Sequence, residues 1–445
     1  MKLEELKNKK VLILGFGKEG RDSFNFLRKN FPKKVLGVAD EKKLRVNKKV
    51  KLHLGKNYLK AMKNYEVIIK SPGIPPKAIA PFIRKSQTRA SAKCENERSS
   101  LLRITSQADI FFENCPGRIV GITGTKGKST TASMIYKILK EGGVKAHLVG
   151  NIGKPALSSL EKTKRADVFI YELSSHQLYN LKESPYIAVL LNIYPEHLDY
   201  YRSFMEYAKA KANITLHQNK DDFLVFNSED KLIREFAKKS KARKIPIRGK
   251  YYSLNKEAAK EIGKIFKIPL KTINRVLKNF KYLAHRLEKV GTFQGITFYN
   301  DALATIPEAT MGAMEALGNR VETIMLGGYE RKIDYKKLAQ KIQQSEIKNV
   351  ILFPTTGKRI WKEICRQGRK APKHFFVGNM TEAVKLAYRH TKPGKICLLS
   401  TAASSFSIFK DYREKGNLFK KYVKRFARNP ALLKKAGLKF YDKKT

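Results

Sequence analysis

Residues 121–130 read GITGTKGKST, and their types and order suit the binding of a polyphosphate. A β-prone run, RIVGIT (118–123), ends there, and a helix-prone run, TASMIYKILKE (131–141), begins. In such a turn successive backbone amides and the helix N-terminus can point at an anion. Gly124, Thr125, Lys126 and Gly127 form the cradle, Lys128 reaches the β- and γ-phosphates, and the hydroxyl of Ser129 or Thr130 faces Mg²⁺. Gly121 precedes Gly127 by six positions, where the standard phosphate-binding loop has five. Two further residues stand at the carboxyl edges of strand-like runs, where sites of α/β proteins collect. Glu172 closes DVFIYE (167–172), near where a carboxylate on a second strand can reach the Mg²⁺ of the loop. His197 follows IAVLLN (187–192). A third pattern, GFGKEG (15–20) with Asp40 about twenty residues on, fits GxGxxG and read alone suggests a dinucleotide, though it is a weak signal by itself.

These residues need strand ends to hold them. VLILG (11–15), VLGVAD (35–40) and EVIIK (66–70) form one series of buried strands, and SPGIPP (71–76) is a rigid loop at a strand end. RIVGIT, DVFIY (167–171) and IAVLL (187–191) form a second series. GITFYN (295–300), VETIML (321–326), NVILF (349–353) and ICLLS (396–400) form a third. Strands alternating with helical runs predict an α/β fold of mostly parallel, doubly wound sheets. The polar stretch 86–103 reads as an insertion or flexible linker, and the basic tail beyond about Tyr422 as a surface appendage.

At ~150 residues per domain, 445 residues predict about three domains. With 42% hydrophobic and 10% aromatic residues the chain is not disordered. No apolar run approaches the ~18–20 residues of a membrane span, and the opening MKLEELKNKK lacks the pattern of a signal peptide, so a cytoplasmic protein is expected. The 92 Lys and Arg against 39 Asp and Glu give +53, a field that attracts anions without specifying any. The lysines are dispersed through every segment, which favours solvated faces over a dedicated nucleic-acid surface. Cys94, Cys115, Cys365 and Cys397 form no CxxC and read as reduced thiols.

Ten segments in order, SPGI (71–74), TGTKGKSTT (123–131), GNIG (150–153), ELSSHQL (172–178), LNIYPEHLD (191–199), YAKAKANI (207–214), AHRLE (284–288), YNDALAT (299–305), GGYERKIDY (327–335) and LSTAASSFSIFKDY (399–412), resemble the motifs of the Mur ligase family. These are ATP-dependent enzymes that join an amino acid to a carboxylate. The resemblance spans nearly the whole chain, apart from 86–103 and the tail, and is greatest to the branch that adds D-glutamate to UDP-N-acetylmuramoyl-L-alanine through an acyl phosphate. It implies a Rossmann-like UDP-substrate domain (1–106), a central ATP-binding domain (107–283) and a Rossmann-like amino-acid domain (284–445) that closes onto the second. It turns the GxGxxG reading from NAD to UDP, held by Gly15, Phe16, Gly17, Asp40, Ser71, Pro72 and Gly73, with Asn151 and Ser174 at the sugar and peptide. Lys128, Glu172, His197 and Lys211 become catalytic. Ser129 and Glu172 hold one Mg²⁺, and His197 and Lys211 a second. On composition Lys211 is a solvated helical lysine; the resemblance makes it a CO₂-derived carbamate, with Lys209 on another helical face. Asn255, Arg286 and Asp301 are implied on ATP, and Thr305, Arg331, Ser405 and Tyr412 on D-glutamate.

The chain departs from the family's pattern at Leu303, where Lys is usual, at Tyr251-Tyr252, where His-Asn is usual, and at Ser400-Thr401, where Ser-Pro is usual. Leu303 implies that another cation supplies the missing charge or that affinity for acceptor or phosphate has changed. The chain is expected to act as a monomer, without a specific nucleic acid and without a membrane span. Other readings are a ligase for L-alanine, a diamino acid or folate-linked glutamate, a basic P-loop nucleic-acid NTPase, and an inactive Mur-like binding protein.

Overall fold

Parallel strands buried on both faces need near-continuous apolar runs, and the chain supplies them. The computed structural model describes residues 1–46, 50–91, 102–161, 163–197, 200–249, 251–331, 333–368, 371–429 and 431–434. It divides into two compact units, Met1–Gly249 with Leu254–Asn279, and Lys250–Ser253 with Phe280–Thr445.

The first unit holds two parallel sheets. One comprises β1 (Val11–Leu14), β2 (Leu36–Asp40), β3 (Lys51–Leu54), β4 (Val67–Lys70) and β5 (Arg103–Thr105), in the order β3-β2-β1-β4-β5. The other comprises β6 (Arg118–Thr123), β7 (Ala146–Gly150), β8 (Val168–Glu172), β9 (Ile187–Leu190), β10 (Phe223–Asn227) and β11 (Arg243–Ile247), in the order β11-β10-β9-β6-β8-β7. One apolar cluster runs through both, from Leu6 and Val11 to Leu224 and Ala242. The helix Gln107–Asn114, capped by Ser106, drives Phe111 into the seam, its ring 5.4 Å from Phe169 and 5.3 Å from Tyr171.

The second unit holds β12 (Glu288–Phe293), β13 (Ile296–Asn300), β14 (Val321–Gly327), β15 (Asn349–Phe353), β16 (Lys373–Phe376) and β17 (Ile396–Leu399), in the order β12-β13-β17-β14-β15-β16. All pairs are parallel except the β12–β13 edge hairpin. The expected mostly parallel α/β architecture is thus present. Two local readings need correction. The stretch 86–103 is not wholly a linker: the helix Pro76–Ser91 enters it and β5 begins at its end, while 92–101 lie outside the described residues. The tail beyond Tyr422 does not start as an appendage. The helix Tyr412–Arg428 carries Phe419, Val423 and Phe426 on one buried face, an i, i+4, i+7 stripe that its basic residues obscure. Residues 435–445 lie outside the described residues. Among the described residues no helix is long and apolar enough to cross a membrane.

Candidate active site

The central strand of the second sheet, β6, lies between β9 and β8, and at their carboxyl ends the chain leaves β6 towards β7 on one side and β9 towards β10 on the other. Such a switch point opens a crevice, and residues 124–130 occupy it. The helix Lys128–Glu141 starts at Gly127, whose φ of 91° is left-handed, and its N-terminus bears no side-chain cap. A Cβ at Gly127 would stand 2.3 Å from Oδ1 of Asn255, so this turn closes only around the buried Asn255 amide. The structure thus packs Asn255, expected on ATP, against the turn of the phosphate loop.

The loop after β9 is zipped onto this turn. Asn192 accepts from the Lys126 amide at 2.8 Å and donates to the Lys126 carbonyl at 2.9 Å, and its own carbonyl accepts from the Thr125 amide at 2.8 Å. The Thr125 hydroxyl accepts from the Tyr194 amide at 2.9 Å and bonds the Tyr207 hydroxyl at 3.0 Å. Beyond it the Lys126 ammonium pairs with Glu196 at 2.7 Å. Burial opposes ionisation of Glu196, but the Lys126 charge outweighs it and holds the carboxyl below its usual range. His197 follows with φ 58°, its Nε2 3.9 Å from Glu196 Oε2.

Two lysines converge on one carbonyl. Lys128 Nζ donates to the Gly124 and Thr125 oxygens at 2.9 and 3.1 Å, and Lys211 Nζ donates to Gly124 at 2.9 Å from above the Tyr207 ring. Lys211 is only 2% exposed, which corrects the solvated reading of its composition; Lys209 is exposed. Burial, then the Lys128 charge, pushes the Lys211 amine well below the usual lysine range. Glu172, paired in register with Ile122 of β6, is 4% exposed, and its Oε2 has no hydrogen-bond partner among the described residues. An orphaned buried carboxylate oxygen is costly, and a hard cation beside the phosphate loop would satisfy it. Among the described residues no group of three or more His, Cys, Asp and Glu could hold a metal. A site here would combine Glu172 and the Ser129 hydroxyl with phosphate oxygens and water, as Mg²⁺ prefers.

Around β1 the structure gathers four of the sequence motifs. Ser71 Oγ donates to the Gly15 carbonyl at 2.7 Å, and Lys18 Nζ reaches the Gly153 carbonyl at 3.5 Å. Gln177 donates to Glu19 Oε1 at 2.7 Å while Ser174 caps the turn that carries Gln177. Burial raises Glu19 to about 7 and lowers nearby Lys70 to about 8. The Asp40 oxygens accept from the amides of Phe16 at 2.7 Å and Lys42 at 2.9 Å, so this carboxylate braces the loop. Asn151 is exposed, and Pro72 and Gly73 follow Ser71 in the turn after β4.

In the second unit Asp301 is likewise a brace. It accepts from the Leu287 amide at 3.0 Å and the Ser400 hydroxyl at 2.8 Å, fixing the AHRLE loop with Arg286, and burial raises it to about 7. The Tyr329 amide donates to the Ser404 carbonyl at 2.8 Å, which brings the loops of Arg331 and Ser405 together. Arg331 is exposed; the buried Ser405 hydroxyl has no partner among the described residues. Tyr412 stands at the start of its helix with its ring 5.8 Å from His285, and Thr305 is half-buried two residues past Leu303. Lys415, 1% exposed, donates to Thr401, and burial lowers it to about 7 with the Asp301 charge opposing. Sequence reasoning passed over Glu196, Asn192, Glu19, Gln177 and Lys415. The first four lie inside or beside quoted motifs, whereas Lys415 carries no signal of its own.

Residues 122–294 match the Mur ligase middle domain, and 285–403 the Mur ligase glutamate ligase domain. The UDP-N-acetylmuramoylalanine–D-glutamate ligase of Acetivibrio thermocellus is 32% identical over 94% of this chain and 97% of its own. The ligase of that name from Clostridium acetobutylicum is 31% identical over the same shares. A MurF ligase from Thermotoga maritima, solved in complex with ADP, shares the fold at a TM-score of 0.56 and 16% identity, over 95% of this chain and 97% of that one. The chain belongs to the Mur ligase family.

Proposed function

We propose that this chain is an ATP-dependent ligase that adds D-glutamate to UDP-N-acetylmuramoyl-L-alanine in peptidoglycan precursor synthesis, as a cytoplasmic protein. The observation that carries the reading is the uncapped helix at Gly127 with Lys128 in its first turn, beside the orphaned carboxylate oxygen of Glu172. The relatives' names supply the acceptor and the amino acid.

The residues suit the chemistry. A carboxylate does not accept an amine until one of its oxygens becomes a leaving group. The terminal alanyl carboxylate takes the γ-phosphoryl of ATP, releasing ADP; the D-glutamate nitrogen then attacks the acyl carbon, phosphate departs, and the nitrogen loses a proton. Lys128 and the loop amides hold the phosphates, with Asn255 and Arg286 on the nucleotide. Glu172 and the Ser129 hydroxyl would hold one Mg²⁺, which when bound offsets the phosphate charge. The loops of Gly15, Asp40 and Ser71 take the uridine diphosphate, and Thr305, Arg331, Ser405 and Tyr412 the amino acid.

Lys211 is carbamylated in this reading. Only a neutral amine attacks CO₂, and burial favours that form of Lys211. The N–C bond forms as one C–O π pair moves to oxygen and the nitrogen gives up a proton, leaving a carbamate. Its oxygens suit a second Mg²⁺ beside His197, where an ammonium would repel it.

The deciding experiment is phosphate release with UDP-N-acetylmuramoyl-L-alanine and ATP, with D-glutamate, L-glutamate, L-alanine or diaminopimelate in turn. Release that depends on D-glutamate is expected; release driven by another amino acid would reassign the ligase. Carbon NMR under labelled bicarbonate should show a carbamate that Lys211→Ala lacks.

A further inference from the structure

One side chain links the loop assigned to the UDP-substrate with the loop that carries His197. The Tyr200 hydroxyl donates to the carbonyls of Pro72 and Ile74, at 3.1 and 3.2 Å, a single proton shared across the turn after β4. Its ring meets the His176 ring edge-on at 4.2 Å, and the His176 ring stands 4.9 Å from that of His197. The backbone adds a second tie. The amides of Tyr200 and Tyr201 both donate to the His197 carbonyl, at 3.0 and 3.1 Å. They hold His197 in the left-handed region, which an L side chain seldom adopts without such support. His176 rests on the turn Ser175–Leu178, whose Gln177 bonds Glu19 in the loop after β1.

We infer that Tyr200 is a positioning residue that couples the UDP-substrate loop to the metal-side residue His197, so that filling one site favours filling the other. The inference rests on the assignments of SPGI and His197 under the proposed function. When the turn at Pro72–Ile74 settles on a ligand, the hydroxyl it holds fixes the Tyr200 ring, and that ring fixes His176 against His197. Such coupling is reciprocal by linkage and ordinarily amounts to about five-fold or more.

Tyr200→Phe removes the hydroxyl and keeps the ring; His176→Leu removes the imidazole edge. Calorimetry would give the dissociation constant of UDP-N-acetylmuramoyl-L-alanine in chelator and again with Mg²⁺ and a non-hydrolysable ATP analogue. The wild type should bind about five-fold more tightly in the second condition. Both variants should bring that ratio to within about two-fold of unity, while thermal unfolding stays close to wild type and the chelator value moves little. In turnover, Tyr200→Phe should raise the Mg²⁺ concentration needed for half-maximal rate more than it lowers the maximal rate. An unchanged ratio in Tyr200→Phe, or a wild-type ratio of one, overturns the inference. A wild type with the coupling but no D-glutamate-dependent phosphate release overturns the proposed function instead.

Discussion

Replacing Gly127 with alanine tests the phosphate loop by a route that does not depend on turnover. Two penalties follow from the geometry. At φ 91° a Cβ costs about 1–2 kcal/mol. The same Cβ would stand 2.3 Å from Asn255 Oδ1 and 3.1 Å from its Cγ. The amide must therefore retreat by roughly 1 Å within a packed interior, which costs about 1–3 kcal/mol. Gly127→Ala should destabilise the loop by about 2–5 kcal/mol in total. In an Asn255→Ala background only the backbone term remains, so the second cost should be about 1–2 kcal/mol and the coupling about 1–3 kcal/mol. The lone tryptophan, Trp361, lies in the second unit, so fluorescence would report the wrong part of the chain. Hydrogen exchange in peptides covering β6 and the helix Lys128–Glu141 reports the right one. If Gly127→Ala costs the same, within about 0.5 kcal/mol, with and without the Asn255 side chain, the steric reasoning is wrong.

Three other perturbations separate roles that the geometry keeps apart. Lys128→Ala should abolish ligation while leaving binding of the UDP-substrate within about three-fold of wild type, since the ammonium serves Gly124 and Thr125 and not the loops around β1; calorimetry beside a phosphate-release assay checks both halves. Lys211→Ala should lose most activity, with partial return on adding short carboxylic acids, whereas Lys209→Ala at its exposed position should be nearly silent. Glu19 is protonated in the folded state up to about pH 7 because burial raises it from 4.5. Its contribution is therefore full below pH 4.5 and is lost as pH rises through 7, by about 1–3 kcal/mol. Urea unfolding from pH 5 to 8 should show this decline in wild type and a flatter profile in Glu19→Gln.

The strands bearing the site were readable because each is an apolar run ending in a residue that could do chemistry: β1 before Gly15, β6 before Gly124, β8 at Glu172. The edge strands β3, β5, β7, β11, β12 and β16 were not, nor was the interior strand β10. An edge strand needs apolar residues on fewer faces, and KLHL, RKIPI and KHFF mix charge and ring in ways that helices and loops share. Within the site, residues contiguous in a motif were found and pairings between motifs were not. Gln177 meets Glu19 across 158 positions, Tyr200 meets Pro72 across 128, and Asn192 meets Lys126 across 66. Nothing local to either partner encodes such a bond; the switch-point topology brings the loops together and the side chains then pair. Asp40 and Asp301, expected on ligands, also brace their loops: Asp40 accepts from the Phe16 and Lys42 amides, and Asp301 from the Leu287 amide and the Ser400 hydroxyl.

Local charge at the phosphate loop differs from what a net +53 would suggest. Three lysines surround one turn, and the structure disposes of them in three ways. Lys126 is matched by Glu196 at 2.7 Å. Lys128 sits at the helix N-terminus with the Gly124 and Thr125 carbonyl oxygens on its amine. Lys211 is enclosed beside Lys128 with the Gly124 carbonyl and the Tyr207 ring near its amine, so its positive form is penalised by burial and then by its neighbour. The enclosure that penalises an ammonium here also keeps the amine nucleophilic. A carbamate at Lys211 would then bring a negative group to the Lys128 side of the turn. The same burial that makes Lys211 look misplaced as a cation makes it suitable as the precursor of an acidic ligand. Lys209, two positions away and exposed to water, has no such constraint on its charge.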